Sequence, residues 1–345
     1  MTDPDAFAVG APLAKPRRDN TIVFEGARLG NKFRLLEPLG DGGMGKVWLA
    51  QHLGLGRTVA LKVLHRSVHA MEDHRKRFER EARVIGQLDH PGIVAALDFG
   101  ELEDGRNFLA MEYVPGRTLE RIVREDGPLP WKVAVHVVAQ VAEAIAFAHE
   151  RGILHRDLKP DNLMVEGGDP AIGRVRILDL GLARMEHPED GDSISFVGLS
   201  EPRMAIGTAS YSAPEQLRGG PTDARADVYG LAAVLYYCIA GRSPYPGLTL
   251  ADVVVAQHQR QLDGLAAVRP DPTRPPALDA LIQRCLAHDP AARVATASAF
   301  AGELRALLVV QPAPRQLPIG RIAWGIALLA AGIVAGVLGA TLASL

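Results

Sequence analysis

A glycine-rich run, Leu39, Gly40, Asp41, Gly42, Gly43, Met44, Gly45, Lys46 and Val47, lies between two stretches of strand-like alternation. Without a Cβ, glycines let backbone N–H groups come close to phosphate oxygens, so the run is a candidate phosphate cradle. The same spacing serves a dinucleotide-binding fold or an ordinary hairpin. A dinucleotide fold needs a helix to open here, whereas Val47, Trp48, Leu49 and Ala50 continue as strand. Downstream, period-two geometry from Thr58 to Leu64 puts Val59, Leu61 and Val63 on one face and Ala60 with Lys62 on the other. A lysine at such a place is ordinarily a solvated edge residue. The stretch 72–88 changes that reading: Phe78, Ala82, Ile85 and Leu88 form an apolar helical stripe, and Glu81 lies within it. A carboxylate on a core-facing stripe calls for a cation, and Lys62 is the natural candidate. A lysine held in this way can be aimed at the α- and β-phosphates of ATP.

The densest chemistry lies at His155, Arg156, Asp157, Leu158, Lys159, Pro160, Asp161 and Asn162, followed 17 residues after Asn162 by Asp179, Leu180 and Gly181. This pair of motifs resembles the catalytic loop and the magnesium motif of eukaryotic-type protein kinases, matching each fixed letter of H-R-D-L-x-x-x-N. The resemblance implies that Asp157 accepts or orients the proton of an attacking hydroxyl and that Asn162 and Asp179 hold Mg²⁺, for which Mn²⁺ can substitute. Lys159 resembles the lysine of serine/threonine kinases that neutralises the transferred γ-phosphoryl, which points away from tyrosine specificity. Leu180 stands where the family usually has phenylalanine; it is also apolar and keeps the packing role. Gly207, Thr208 and the run Ala213, Pro214, Glu215 match the family's substrate-docking loop, with Glu215 implied to pair with Arg293. Asp227, Val228, Tyr229 and Gly230 resemble the opening of the family's central helix, whose aspartate braces the catalytic loop. Glu112, Tyr113 and Val114, after a gatekeeper Met111, look like the hinge. There the backbone of Glu112 and Val114 is implied to bind adenine, with Val47, Ala60 and Met164 closing an apolar slot.

The elements that must position these residues follow from periodicity. From Phe33 to about Ala110 the pattern is β-like and glycine-punctuated, interrupted by the helical stretch 72–88; beyond Gly116 it turns helical, notably over 131–150, 223–240 and 278–287. With the resemblance, this predicts an α+β, bilobal fold: a β-rich first lobe over 33–114 and a mainly helical second lobe over 115–308. Residues 1–28 read as a flexible tail, and 309–321, with three prolines, as an extended linker. From Ile322 to Leu345 there are 24 residues without a charged side chain, enough for a helix of ~36 Å against a hydrocarbon core of ~30 Å. Being apolar all round, this segment is expected to span a membrane.

Arg305, Arg315 and Arg321 before that segment predict a cytoplasmic kinase domain by the positive-inside rule, and no sensor domain is expected beyond the helix. Gly332, Gly336, Ala340 and Ser344 recur every four residues, predicting a homodimer through that helix. Asp3 and Asp5 at the start argue against a secretory signal peptide. A formal net charge of −2 gives no reason to expect nucleic acid as a partner. Cys238 and Cys285 sit in apolar stretches with no metal-ligand spacing and read as buried thiols. Arg156 before the catalytic aspartate is a family feature of kinases ordered by phosphate on the loop 182–206, where Ser193, Ser195 and Ser200 are acceptors and Ser200 is favoured. The function expected is Mg-dependent phosphoryl transfer from ATP to serine or threonine hydroxyls of protein substrates, in membrane-associated signalling. The alternatives are a tail-anchored pseudokinase scaffold, which should lack Lys62, Asp157 or Asp179, and a small-molecule phosphotransferase, which usually lacks the Thr208 to Glu215 segment.

Overall fold

A computed structural model describes residues 26–42, 45–65, 78, 79, 82, 86–179 and 209–309. Strands β1 (Arg28–Leu29), β2 (Phe33–Asp41), β3 (Gly45–His52), β4 (Arg57–Leu64), β5 (Ala96–Glu101) and β6 (Asn107–Glu112) form an antiparallel sheet in the order β1-β2-β3-β4-β6-β5. The tail expected to reach residue 28 thus ends inside β1, where Arg28 pairs with Arg34. Alternation decides the two faces of the sheet. Phe33, Leu35, Trp48, Ala50, Val59, Leu61, Val63, Phe108 and Ala110 form one buried cluster. Directly opposed residues of antiparallel strands share a face. The register sets Val47 and Leu109 beside Lys62, and Leu49 and Met111 beside Ala60, on the other face. One surface of the sheet therefore gathers Val47, Ala60, Lys62 and Met111. Gly45 is required for this pairing, because a Cβ there would stand 2.3 Å from the Val63 carbonyl oxygen.

Of the helix expected over 72–88, Phe78, Glu79 and Ala82 are helical, while Gly86 and Gln87 already form a turn. The helix therefore ends earlier than the apolar stripe, because Gly86 favours a stop there. Glu81 lies outside the described residues, as do Gly43 and Met44, Leu180 and Gly181, the loop 182–208 and residues 310–345.

The second lobe contains α1 (Leu119–Asp126), α2 (Trp131–His149), α3 (Pro214–Leu217), α4 (Ala224–Ala240), α5 (Leu250–His258), α6 (Leu265–Val268), α7 (Pro276–Cys285) and α8 (Ala297–Val309). It also holds a small sheet in the order β7 (Gly116–Thr118), β8 (Leu163–Glu166) and β9 (Val175–Ile177). Helix α4 is buried nearly all round, as a central helix must be, and is capped by Asp223 at its start and by left-handed Gly241 at its end. Helix α7 begins two residues before the expected Leu278, because Pro276 is preorganised for a first helical turn. Among the described residues α2 alone is long and apolar enough to cross a membrane; 61% of it is buried in the fold, which marks it as a core helix. Cys238 and Cys285 are buried free thiols, with burial raising both and Cys285 reaching about 11. By contact the chain divides into two compact units, Met1–Arg305 and Ala306–Leu345, and the site described below lies in the first.

Candidate active site

The loop 155–162 is held from below by α4. Asp227, in the first turn of that helix and 2% exposed, accepts hydrogen bonds from the His155 N–H at 2.8 Å and the Arg156 N–H at 2.7 Å. Its Oδ2 also lies 2.7 Å from His149 Nε2. Burial alone would raise this carboxyl, but the bond from His149, the neighbouring histidines and the backbone donors outweigh it and hold the pKa below its ordinary value. Arg156 takes a left-handed φ of 63°, uncommon outside glycine, and is fixed at both ends because Gln216 Nε2 donates to its carbonyl at 2.9 Å. His155 is fully buried, which lowers its pKa, and its Nδ1 lies 3.2 Å from the Asp157 N–H as an acceptor. Gly230 lets α4 and the loop meet, since a Cβ there would stand 3.0 Å from Leu158 Cβ.

On this base the loop presents Asp157, with Lys159 Nζ 3.3 Å from its Oδ2. A 3-10 turn over Pro160–Asn162 brings Asn162 back, so that its Nδ2 donates to the Asp157 carbonyl at 3.1 Å and approaches Oδ2 at 3.4 Å. The Asn162 carbonyl accepts from the Leu178 N–H at 2.9 Å, which ties the loop to the residue before Asp179. Asp179 Oδ2 meets Lys62 Nζ at 3.0 Å, from the opposite lobe. Asp157, Lys159, Asn162, Asp179 and Lys62 are thus linked by contacts of 3.0–3.4 Å or through one backbone bond. Because the Asn162 NH₂ faces Asp157, its Oδ1 is the acceptor directed elsewhere, and with the Asp179 carboxylate it suits a hard cation. No group of three or more His, Cys, Asp or Glu side chains able to hold a metal occurs among the described residues. Two oxygen donors of this kind would hold a hard divalent cation, provided oxygens of other groups complete its shell.

Sequence reasoning missed the bracing of the hinge. Arg176 of β9, 7% exposed, meets Glu112 Oε2 at 2.5 Å, Glu166 Oε1 at 2.9 Å and the Ile93 carbonyl at 3.1 Å. Desolvation would lower this guanidinium, but the two carboxylates overcome it and raise its pKa. The Glu112 N–H donates to the Ala95 carbonyl at 3.0 Å, so it is not the hinge group left for a ligand. Val114 is buried just beyond, and Met164 is half-buried on β8. The clue in the sequence was a single arginine inside an apolar strand. Arg293 has no exposed side-chain surface and binds Glu215 in bidentate fashion at 2.7 and 2.8 Å, locking α3 against the end of the lobe.

The family model described as "Protein kinase domain" matches residues 33–303. This chain belongs to that family. Serine/threonine-protein kinase pkn3 of Myxococcus xanthus is 37% identical over 292 residues, which is 84% of this chain and 52% of that protein. Serine/threonine-protein kinase PknB of Mycobacterium tuberculosis is 39% identical over 294 residues, 82% of this chain and 43% of that one. The chain therefore spans about half the length, or less, of the curated relatives it matches. The crystal structure of the Mycobacterium tuberculosis PknI kinase domain is similar with a TM-score of 0.64 and 32% identity, covering 84% of this chain and all of that one. The β-rich first lobe and helical second lobe are those of a protein kinase, and the domain is of the bacterial serine/threonine type.

Proposed function

We propose that this protein is an ATP- and Mg²⁺-dependent serine/threonine protein kinase, a reading supported above all by the chain of contacts that joins Asp157, Asn162, Asp179 and Lys62. In this reading the acceptor hydroxyl gives its proton to the Asp157 carboxylate as its oxygen bonds the γ-phosphorus. The bond from that phosphorus to the β,γ-bridging oxygen breaks, and ADP leaves with the electron pair. Lys159, beside Asp157, neutralises charge on the transferred group, and Lys62 steadies the α- and β-phosphates, with Glu81 as its second carboxylate. Mg²⁺ held by Asn162 and Asp179 supplies charge screening for the phosphates when bound. The run Leu39 to Val47, including Gly40, Asp41, Gly42, Gly43, Met44, Gly45 and Lys46, covers the phosphates. Adenine lies between Val47 and Ala60 above and Met164 below, beside Met111, Glu112 and Val114.

The organisation that goes with this reading is a tail that stops before β1, lobes over 33–114 and 115–309, a linker from the end of α8 to residue 321 and a membrane anchor over 322–345, with the kinase lobes cytoplasmic. It rests on the uncharged run and the arginines before it. The test is incubation of the full chain with γ-labelled ATP, Mg²⁺ and dephosphorylated casein, followed by mapping of labelled residues. Label on serine and threonine, with Ser200 among the labelled positions of the chain itself, is expected; label on tyrosine alone, or none, contradicts the reading.

A further inference from the structure

Beneath the segment 209–213, which enters α3, lies a buried polar network centred on Gln257. Gln257, on α5 and 3% exposed, points its amide NH₂ at the Ser212 carbonyl and at the Tyr229 hydroxyl, both at 3.0 Å. A carbonyl only accepts, so the NH₂ must face Ser212 and the amide orientation is fixed. That leaves Gln257 Oε1 buried without a hydrogen-bond partner among the described residues, a penalty that an apolar side chain of the same size would avoid. The Tyr229 hydroxyl, from the core of α4, is in turn hydrogen-bonded to Tyr245, and Ser210 Oγ donates to the Tyr245 carbonyl at 2.9 Å. Ala209, Tyr245, Val253 and Ala256 form the apolar floor. The segment is therefore suspended at two points, Ser210 and Ser212, from α4, α5 and the loop that holds Tyr245. At its far end Gln216 bonds the carbonyl of Arg156, one residue before Asp157.

We infer that Gln257 is a positioning residue for the protein acceptor: through Ser212 it sets the height of the segment 209–213 relative to Asp157 while leaving the nucleotide side untouched. The inference rests on the kinase reading, in which this segment receives the acceptor polypeptide. A methionine at 257 keeps the volume and removes both donated bonds, leaving the Ser212 carbonyl and the Tyr229 hydroxyl without them. A loosened segment weakens acceptor binding more than it alters turnover, because it reaches Asp179 and Lys62 only indirectly, through Gln216, Arg156 and the catalytic loop.

The test is steady-state transfer from ATP to dephosphorylated casein by the full chain, as wild type, Gln257→Met and Tyr229→Phe. Gln257→Met is expected to raise the KM for casein about fivefold or more and to keep the KM for ATP within about twofold. Tyr229→Phe keeps the bond to Ser212 and removes only the hydroxyl, so a smaller rise of about twofold in the casein KM is expected, again with ATP unaffected. A casein KM unchanged in a folded Gln257→Met chain, or casein and ATP KM values rising in parallel, overturns the inference. Should Gln257→Met not fold, an unchanged casein KM in Tyr229→Phe overturns it alone. A wild-type chain that labels no acceptor removes the kinase reading and this inference together, and is told apart because the failure appears before any substitution.

Discussion

Asp157 owes its placement to groups that never meet a substrate. Two backbone N–H groups bound to the Asp227 carboxylate fix the loop before it, and a neutral His155 accepts the N–H of Asp157 itself. Burial keeps the His155 pKa below its ordinary value, whereas the unfolded chain protonates this side chain below pH ~6.5. The unfolded state then binds the extra proton, so stability is full above pH ~6.5 and falls as the pH drops below it, towards the lowered folded value. His90 and His288, also lowered chiefly by burial, act in the same direction. Thermal or urea unfolding between pH 7 and pH 5.5 should show stability decreasing with acid, by up to about 1.4 kcal/mol per pH unit for the fully buried His155, with solvent screening making the contributions of His90 and His288 smaller. His155→Phe should flatten part of that slope; an identical slope in the variant contradicts this account. The residues of this brace were readable from sequence only where a motif named them. Asp227 and Asp157 carried one, whereas His149 and Gln216 lie in helices with nothing to mark their contacts.

At the scale of elements, β9 joins the two lobes by backbone and by side chain: Ile177 bonds the backbone of Gly92 and Val94 at 2.9 and 3.0 Å, and Arg176 adds a charged link. Arg176 reaches Glu112 of β6, 64 residues earlier, and Glu166 of β8, 10 residues earlier. Strand β4 and its lysine were legible because period-two alternation assigns each residue a face. The partners of Arg176 were not, because a three-residue strand has too little pattern and its contacts depend on how separate sheets meet. Lys62 illustrates the same limit: the described ion pair is with Asp179, 117 residues away, a separation no local period reveals. Replacing Arg176 by Met leaves two carboxylates facing each other. Both carboxylates are a third or more exposed, so solvent screening reduces the expected loss to roughly 1–2 kcal/mol, less than for a fully buried pair. The KM for ATP should rise several-fold, because Glu112 loses its brace at the hinge. Denaturant unfolding and nucleotide kinetics check both, and a KM for ATP equal to wild type would count against a hinge role.

For the whole molecule, the sequence and the fold divide the labour. A formal net charge of −2 gave no electrostatic reason to expect nucleic acid, and the lobes followed from periodicity once the motifs gave their order. The run 322–345, outside the described residues, is proposed as an anchor from its length and lack of charge alone. Expressed with that run, the chain should sediment with membranes and resist extraction by carbonate; truncated after Val309, it should be recovered in the soluble fraction. Soluble recovery of the full chain would remove the anchor. If the anchor also pairs chains, Gly336→Leu should shift the detergent-solubilised protein towards monomer, and an unchanged oligomeric state would remove that pairing.

The central claim is that one carboxylate takes a proton while neighbouring groups hold the nucleotide. The most direct measurement is phosphoryl transfer and ATP affinity in wild type and Asp157→Asn under the same Mg²⁺ concentration. Transfer is predicted to fall by about 10²–10⁴-fold, with ATP affinity within about threefold of wild type. An Asp157→Asn chain that transfers phosphate at nearly the wild-type rate would contradict the account.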